Sequence, residues 1–431
     1  MQPFHSTGWA RLGLAAALCV ALISAPPAQA QAGDAFVPGE VVVKLWQAGD
    51  LTAVAAAFSL DPAPLAQFGA RAIYRLRILD GAPADAKAQA LAADARVQYA
   101  EPNFIAQTPE GRKRSGWAKA DAVGYGAQWA PAILRLSEAH AVTQGAGVIV
   151  AVLDSGVDAA HPALAGRLLP GYDFVDMDAD PGEPGAAGPA VTFGHGTHVA
   201  GLVALTAPEA TILPVRVLDR NGDGNVWVLA EALQYAAQNG AAVINLSLST
   251  TRPTRLLQEF VRAAACAGDE DDDDGADDDD DDCLDPTGRG IVVVAAAGNS
   301  GSSAYEYPAA ERVNGALAVA ASTEQDTLAA FSTYGPWVHV AAPGQDITSA
   351  VPGGAYAIWS GTSMAAPFVA GQAALVRAQS PHFTAAQTAE RIQTTAHAIA
   401  GPVPRRIDVA ASLGLNAPAA NSAVFLPLIK R

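Results

Sequence analysis

The stretch Val148-Ile149-Val150-Ala151-Val152-Leu153-Asp154-Ser155-Gly156 is six consecutive apolar residues closed by a carboxylate, a hydroxyl and a glycine. A strand with one wet face alternates apolar and polar residues, whereas an unbroken β-branched run is buried on both faces, as strands of parallel sheets are. Further runs of the same kind follow at Thr211 to Leu218, Ala242 to Leu248, Ile291 to Ala296, Leu317 to Ala320 and Val338 to Ala341. Helical patterns lie between and after them, at Val226 to Gln238, Arg255 to Ala265, Met364 to Ala378 and Ala385 to Ala398. This alternation predicts an α/β fold with a mainly parallel sheet and helices on both faces. In such sheets, working residues gather at the C-terminal ends of the strands, where Asp154 stands.

Upstream, residues 36–106 read as a smaller α+β unit. Strands are expected at Glu40 to Leu45, Tyr74 to Leu79 and Val97 to Ile105, with helices at Leu51 to Phe58 and Ala84 to Ala93. Residues 107–126 read as a processing linker: Pro109 to Gly126, rich in Gly, Lys, Arg and Ser, lacks apolar periodicity and is expected to be exposed and easily cut. At the start, Arg11 precedes the apolar run Leu12 to Ile23, which passes through Pro26 and Pro27 to Ala28-Gln29-Ala30. Its length and its small-x-small ending predict a signal peptide over residues 1–30, cut after Ala30, and hence an exported protein. The tail, 401–431, carries only a short apolar stretch, Val424 to Ile429, too brief for a membrane anchor.

The 431 residues are 50% hydrophobic and 16% charged, enough for a large core and against disorder throughout. The formal charge of −17 argues against nucleic acid or anionic membrane as a partner. Most of it is local: Asp269 to Asp282 holds 12 acidic residues and no basic ones, leaving −5 for the rest. Cys266 and Cys283 flank this run and, in an oxidising compartment, are expected to pair. The loop reads as a solvated, self-repelling insertion, with weak calcium binding by its carboxylates as the alternative.

Three segments carry chemistry: Val152-Leu153-Asp154-Ser155-Gly156, Gly194-His195-Gly196-Thr197-His198-Val199-Ala200-Gly201 and Gly361-Thr362-Ser363-Met364-Ala365-Ala366-Pro367. A serine hydroxyl is a poor nucleophile until a base takes its proton, and an imidazole titrates in the right range to do so. A carboxylate on the other ring nitrogen fixes the tautomer and stabilises the imidazolium. The segments supply one group of each kind. Ser363, followed by an apolar helical pattern, would stand at a helix N-terminus, where backbone N–H groups favour negative charge.

With these motifs in this order, the chain from about Trp129 to Ala398 resembles the subtilisin-like serine proteases. The resemblance implies a serine endopeptidase in which Asp154, His195 and Ser363 form the catalytic triad and His198 is a packed helix residue. Ala295-Ala296-Ala297-Gly298-Asn299-Ser300 matches the segment that bears the family's oxyanion asparagine, Asn299 here. Gly222, Asp223 and Gly224 match the segment that pairs with the substrate backbone, and the resemblance suggests that Asp223 favours a basic residue a few positions before the scissile bond. Leu246, Ser247 and Leu248, with Ala297 and Gly298, match the other wall of the cleft; Ser249 and Thr250 replace two glycines common there and are expected to narrow it.

Within the same resemblance, residues 36–106 correspond to an inhibitory prosegment, ferredoxin-like in fold, and 127–400 to the catalytic domain. A self-processing zymogen follows, cut between Gln107 and Gly126, with another protease acting at Arg112-Lys113-Arg114 as the alternative. The expected partners are polypeptide substrates and the chain's own prosegment; a monomer is expected, free of nucleic acid and, after signal cleavage, of membrane. No cofactor is required for the chemistry. Asp219-Arg220-Asn221-Gly222-Asp223-Gly224 matches the start of a calcium loop but lacks the closing bidentate Glu, and Ala163 stands where relatives carry an acidic ligand, so no metal ligands are assigned. The competing readings are a catalytically inactive or a calcium-binding exported protein on the same fold; a lipase is disfavoured by the absence of a Gly-x-Ser-x-Gly elbow.

Overall fold

The computed structural model describes residues 36–110, 118–183, 192–266, 283–403 and 405–416. The expected signal peptide, the acidic run between the two cysteines and the stretch from Val424 lie outside them.

The apolar run ending at Asp154 forms strand β6 (Ile149–Asp154), third from one edge of a sheet that has nine strands among the described residues. Its neighbours are β8 (Thr211–Arg216) and β10 (Val243–Leu246), both parallel to it. Beyond β10 follow β11 (Val292–Ala296), β12 (Ala316–Ser322) and β13 (Val340–Pro343), again parallel. The sheet ends at one side with β7 (Tyr172–Asp173) and at the other with β17 (Arg405–Arg406) and β16 (His397–Ala398); the last pair is the antiparallel one.

Strand residues alternate between two cores, which is why their runs are apolar throughout. Val150, Val152, Val292 and Val294 face the helices His195–Thr206 and Thr362–Gln379. Ala151, Leu153, Val293 and Ala295 face the helices Val226–Gln238 and Arg255–Ala265. The starts of the last two helices are set by Asn225 and Thr254, whose side chains accept the N–H groups of Val228 and Leu257. The hairpin β14 (Ile347–Val351) and β15 (Ala355–Trp359), with β5 (Ala118–Ala120) added to its edge, makes a separate antiparallel sheet. Cys266 and Cys283 are joined in a disulfide.

The N-terminal unit is an antiparallel sheet of β1 (Phe36–Leu45), β2 (Ala66–Phe68), β3 (Ile73–Arg77) and β4 (Val97–Gln107), in the order β2-β3-β1-β4, with helices Leu51–Ala57 and Ala84–Leu91. It docks on the helices Val226–Gln238 and Arg255–Ala265. Glu101 accepts from Thr254 Oγ1 at 2.5 Å and from the N–H groups of Arg255 and Leu256 at 2.7 and 3.1 Å. Asn103 Oδ1 accepts from the Trp227 N–H at 3.2 Å. Both side chains thus satisfy donors that a helix start leaves open. Phe68 packs on Trp227 and Phe260, and Glu259 returns an ion pair to Lys44 at 2.9 Å.

The sequence read residues 109 onward as exposed. Ala118, Lys119, Asp121 to Val123 and Gly126 are exposed, although Ala118 to Ala120 pair with a strand, but Thr108, Pro109 and Glu110 are buried. The chain from β4 therefore does not leave the surface at Gln107; it enters the cleft. Among the described residues no helix is long and apolar enough to cross a membrane.

Candidate active site

Asp154 is the last residue of β6, and His195 is the first of the helix His195–Thr206. Strand end and helix start meet so that His195 Nδ1 lies 2.7 Å from Asp154 Oδ1, which also accepts the Ser155 N–H at 2.8 Å. Both residues are fully buried. Ser363 is the second residue of the helix Thr362–Gln379, likewise buried. Its Oγ lies 3.2 Å from the Ser247 carbonyl, and Ser247 Oγ donates to the Ser363 carbonyl at 3.0 Å. Asn299 follows β11; its Oδ1 accepts from Thr362 N and Oγ1 at 2.9 and 3.0 Å, which turns its Nδ2 toward the serine.

Glu110, from the end of the N-terminal unit, fills the space these groups surround. Its Oε2 accepts from Ser363 Oγ at 2.6 Å and lies 3.2 Å from His195 Nε2, while its Oε1 accepts from Asn299 Nδ2 at 2.8 Å. Gly361 is what leaves it room: a methyl group at that position would overlap Glu110 Oε1.

The electrostatics follow from two carboxylates about one imidazole. Burial alone pulls His195 toward its neutral form, but Asp154 and Glu110 outweigh it and raise the group from 6.5 to about 10. Burial likewise favours the acid form of Glu110, yet bonds from His195, Ser363 and Asn299 hold its carboxyl below the usual range. His198 is pushed down to about 3 by burial and by its charged neighbour His195; its Nε2 faces the Ile347 and Ala357 carbonyls at 3.2 Å.

β4 pairs antiparallel with β9 (Asp223–Asn225), placing Gln107 opposite Asp223 and Ala106 opposite Gly224. Gln107 exchanges both backbone bonds with Ser249, at 2.9 and 2.8 Å, and its Nε2 donates to Asp223 Oδ1 at 2.5 Å. Gly222 lies in the turn before β9, its N–H bonded to the Asp219 carbonyl. Of the other expected cleft residues, Ser247 touches Ser363 and Gly298 adjoins Asn299, whereas the side chains of Leu246, Leu248 and Ala297 belong to the core beneath. Ser249 and Thr250 are buried, and Thr250 bonds to the Tyr307 backbone. Asp219 turns its Oδ1 onto the N–H groups of Asn221 and Asp223. Among the described residues no group of three or more His, Cys, Asp or Glu is placed to hold a metal.

Three carboxylates at the site were not singled out from sequence. Glu110 is one and Glu306 another. The third, Glu183, accepts from Gly194 N, Thr197 N and Thr197 Oγ1, all at 3.2 Å, beneath the start of the histidine helix. Burial lifts Glu183 to about 7, against the pull of those N–H bonds. None of the three sits in a motif of its own.

Comparison with known proteins agrees with this architecture. The Subtilase family, Peptidase_S8, matches residues 145–418, and the fervidolysin N-terminal prodomain matches residues 24–103. The thermophilic serine proteinase of Bacillus sp. (strain AK1) is 38% identical over 378 residues, spanning 85% of this chain and 84% of that protein. Thermitase of Thermoactinomyces vulgaris is 39% identical over 284 residues, 64% of this chain and 90% of that one. In fold, the crystal structure of fervidolysin from Fervidobacterium pennivorans superposes with a TM-score of 0.69 at 22% identity, covering 90% of this chain and 63% of that one. The chain belongs to the subtilase family and is a serine endopeptidase carrying its own N-terminal prodomain.

Proposed function

We propose that the protein is an exported zymogen that hydrolyses peptide bonds through an acyl-enzyme on Ser363 and that it releases itself by cutting between Gln107 and Gly126. His195 takes the serine proton and returns it to the leaving amine. Asp154 holds the imidazole in the tautomer that leaves Nε2 free to accept, and stabilises the imidazolium. Asn299 Nδ2 receives the oxyanion. The single observation behind this reading is that Ser363 Oγ, His195 Nε2 and Asn299 Nδ2 converge on one small group, the Glu110 carboxylate, each within 3.2 Å. A scissile peptide group put there would meet a nucleophile, a base and an oxyanion donor at once. Labelling the expressed protein with a fluorophosphonate tests the reading: the probe is expected on the peptide containing Ser363, and a protein that stays unlabelled after maturation would count against it.

Latency in this reading has an electrostatic component. Glu110 occupies the oxyanion site and, with Asp154, keeps His195 as an imidazolium, which has no lone pair to accept a proton. No substrate carbonyl enters until that carboxylate withdraws. Because Glu110 adds to what Asp154 already does to His195, the stability its charge gives the closed state is present while His195 is protonated and is lost as pH rises through the closed-state value of about 10. An enzyme limited only by an ordinary histidine would level off by about pH 8. Maturation of the purified precursor, followed on gels, is therefore expected to keep accelerating toward pH 10. Glu110→Gln removes the charge and retains the shape; it is expected to mature about tenfold faster at pH 7, with that alkaline rise flattened. A variant as slow as the wild type, with the same pH profile, would remove Glu110 from the account of latency.

A further inference from the structure

Two backbone walls flank Ser363. On one side, Ser247 meets it at 3.2 and 3.0 Å and leads through Leu248 to Ser249. On the other, Asn299 and Gly298 close the space above β11. A peptide whose carbonyl replaces the Glu110 carboxylate, and whose preceding residues follow the Gln107 pairing with Ser249, sends the side chain of that residue between these walls.

Glu306 stands where they meet. Its Oε2 accepts from Ser249 Oγ at 2.6 Å, and the rest of its carboxyl group lies flat on Gly298, where a methyl group would overlap it. Gly298 is at φ +97°, so both its backbone and its missing side chain are required for this contact. Glu306 is only 5% exposed, and Ser249 is fully buried. A carboxyl group therefore bridges the two walls, resting on the glycine that precedes Asn299.

From this we infer that the primary specificity pocket takes a lysine or arginine side chain and that Glu306 is its specificity-determining residue. The inference rests on Ser363 being the nucleophile. An apolar side chain pushed into the recess strips water from the carboxylate and returns no charge. A lysine or arginine lays its methylene stem along the walls and brings a cation to the carboxylate, the stronger, charge-assisted kind of hydrogen bond. Ser249 and Glu306 thus act together: a side chain where a glycine is common narrows the pocket and orients the acid at its end. The sequence supplies a matching first substrate, since Arg112, Lys113 and Arg114 follow Glu110 within four positions, outside the described residues.

The test is a kcat/KM profile on an unbiased peptide pool, using full-length protein left to mature, beside Glu306→Gln and Glu306→Asp. Wild type is expected to cleave after Arg and Lys about 10- to 100-fold better than after Phe or Leu. Glu306→Asp keeps a basic preference and Glu306→Gln loses it, both still labelled by a fluorophosphonate. Wild type preferring Phe or Leu, or Glu306→Gln keeping the wild-type ratio, overturns the inference. If Glu306→Gln does not fold, benzamidine decides on the wild type: competitive inhibition supports a cation-binding pocket, and none at millimolar concentration overturns it. An unlabelled wild type strikes the Ser363 reading and this one together; a labelled enzyme with no basic preference strikes this one alone.

Discussion

Replacing Ser363 by alanine is expected to lower kcat/KM on any peptide by about a million-fold and to leave the precursor uncut between Gln107 and Gly126. The size follows from what the hydroxyl does. In the proposed mechanism no covalent intermediate forms without it, and His195 and Asp154 have nothing to activate; what survives is the modest gain from binding and from Asn299. The structure also says why the fold survives. Ser363 lies in the first turn of the helix Thr362–Gln379, alanine is a strong helix former, and only one oxygen is removed. The Glu110 carboxylate keeps Asn299 and His195 as partners. The purified variant should therefore be a folded, prosegment-bound precursor, with an unfolding midpoint within a few degrees of wild type. Activity assays and gels of the purified protein over days check both parts. A Ser363→Ala precursor that matures without added protease would show that the cut is made by another enzyme, for which Arg112-Lys113-Arg114 is the obvious site.

The contrast between Ser363 and Glu110 shows what a sequence discloses. Ser363, His195 and Asp154 each sit inside a glycine-bearing motif at a strand or helix end, because close approach and a helix start need particular neighbours. The helices Val226–Gln238 and Arg255–Ala265 were legible to the residue, since each follows a capping side chain and each has one apolar face. The hairpin Ile347–Trp359 was not, because Pro343-Gly344 and Pro352-Gly353-Gly354 punctuate it like loops. Glu110, Glu183 and Glu306 left no trace at all. A buried carboxylate is decided by partners far along the chain, Ser363 lying 253 residues from Glu110 and Ser249 lying 57 from Glu306. No local spacing encodes such a pairing. For the same reason Pro109 and Glu110 read as exposed linker: no apolar periodicity marks them, and the burial of Glu110 depends on a cation and two donors that belong to the other domain.

Asp154→Asn carries the second largest expected effect, a loss of about 10⁴-fold in kcat/KM with the fold unchanged. The two side chains have the same shape, and Asp154 is wholly buried, so a neutral amide is easier to desolvate than the carboxylate it replaces. Function suffers whichever way the amide turns. If its oxygen keeps the contacts to the Ser155 N–H and His195 Nδ1 now made at 2.8 and 2.7 Å, the imidazolium formed during proton transfer faces a dipole in place of a full negative charge. If its NH₂ turns inward, it donates to Nδ1 and forces the proton onto Nε2, which then cannot accept from Ser363. The precursor supplies an independent readout. Asp154 is the foremost group raising His195 against burial, so its neutralisation should move the alkaline limb of the latency profile well below pH 10. Steady-state kinetics and the rate of fluorophosphonate labelling should fall together, and remain about a hundredfold above Ser363→Ala in turnover. A loss smaller than tenfold in both would mean that the carboxylate behind His195 is not what holds and charges the base, and Glu183, beneath the same helix start, would be the next group to neutralise.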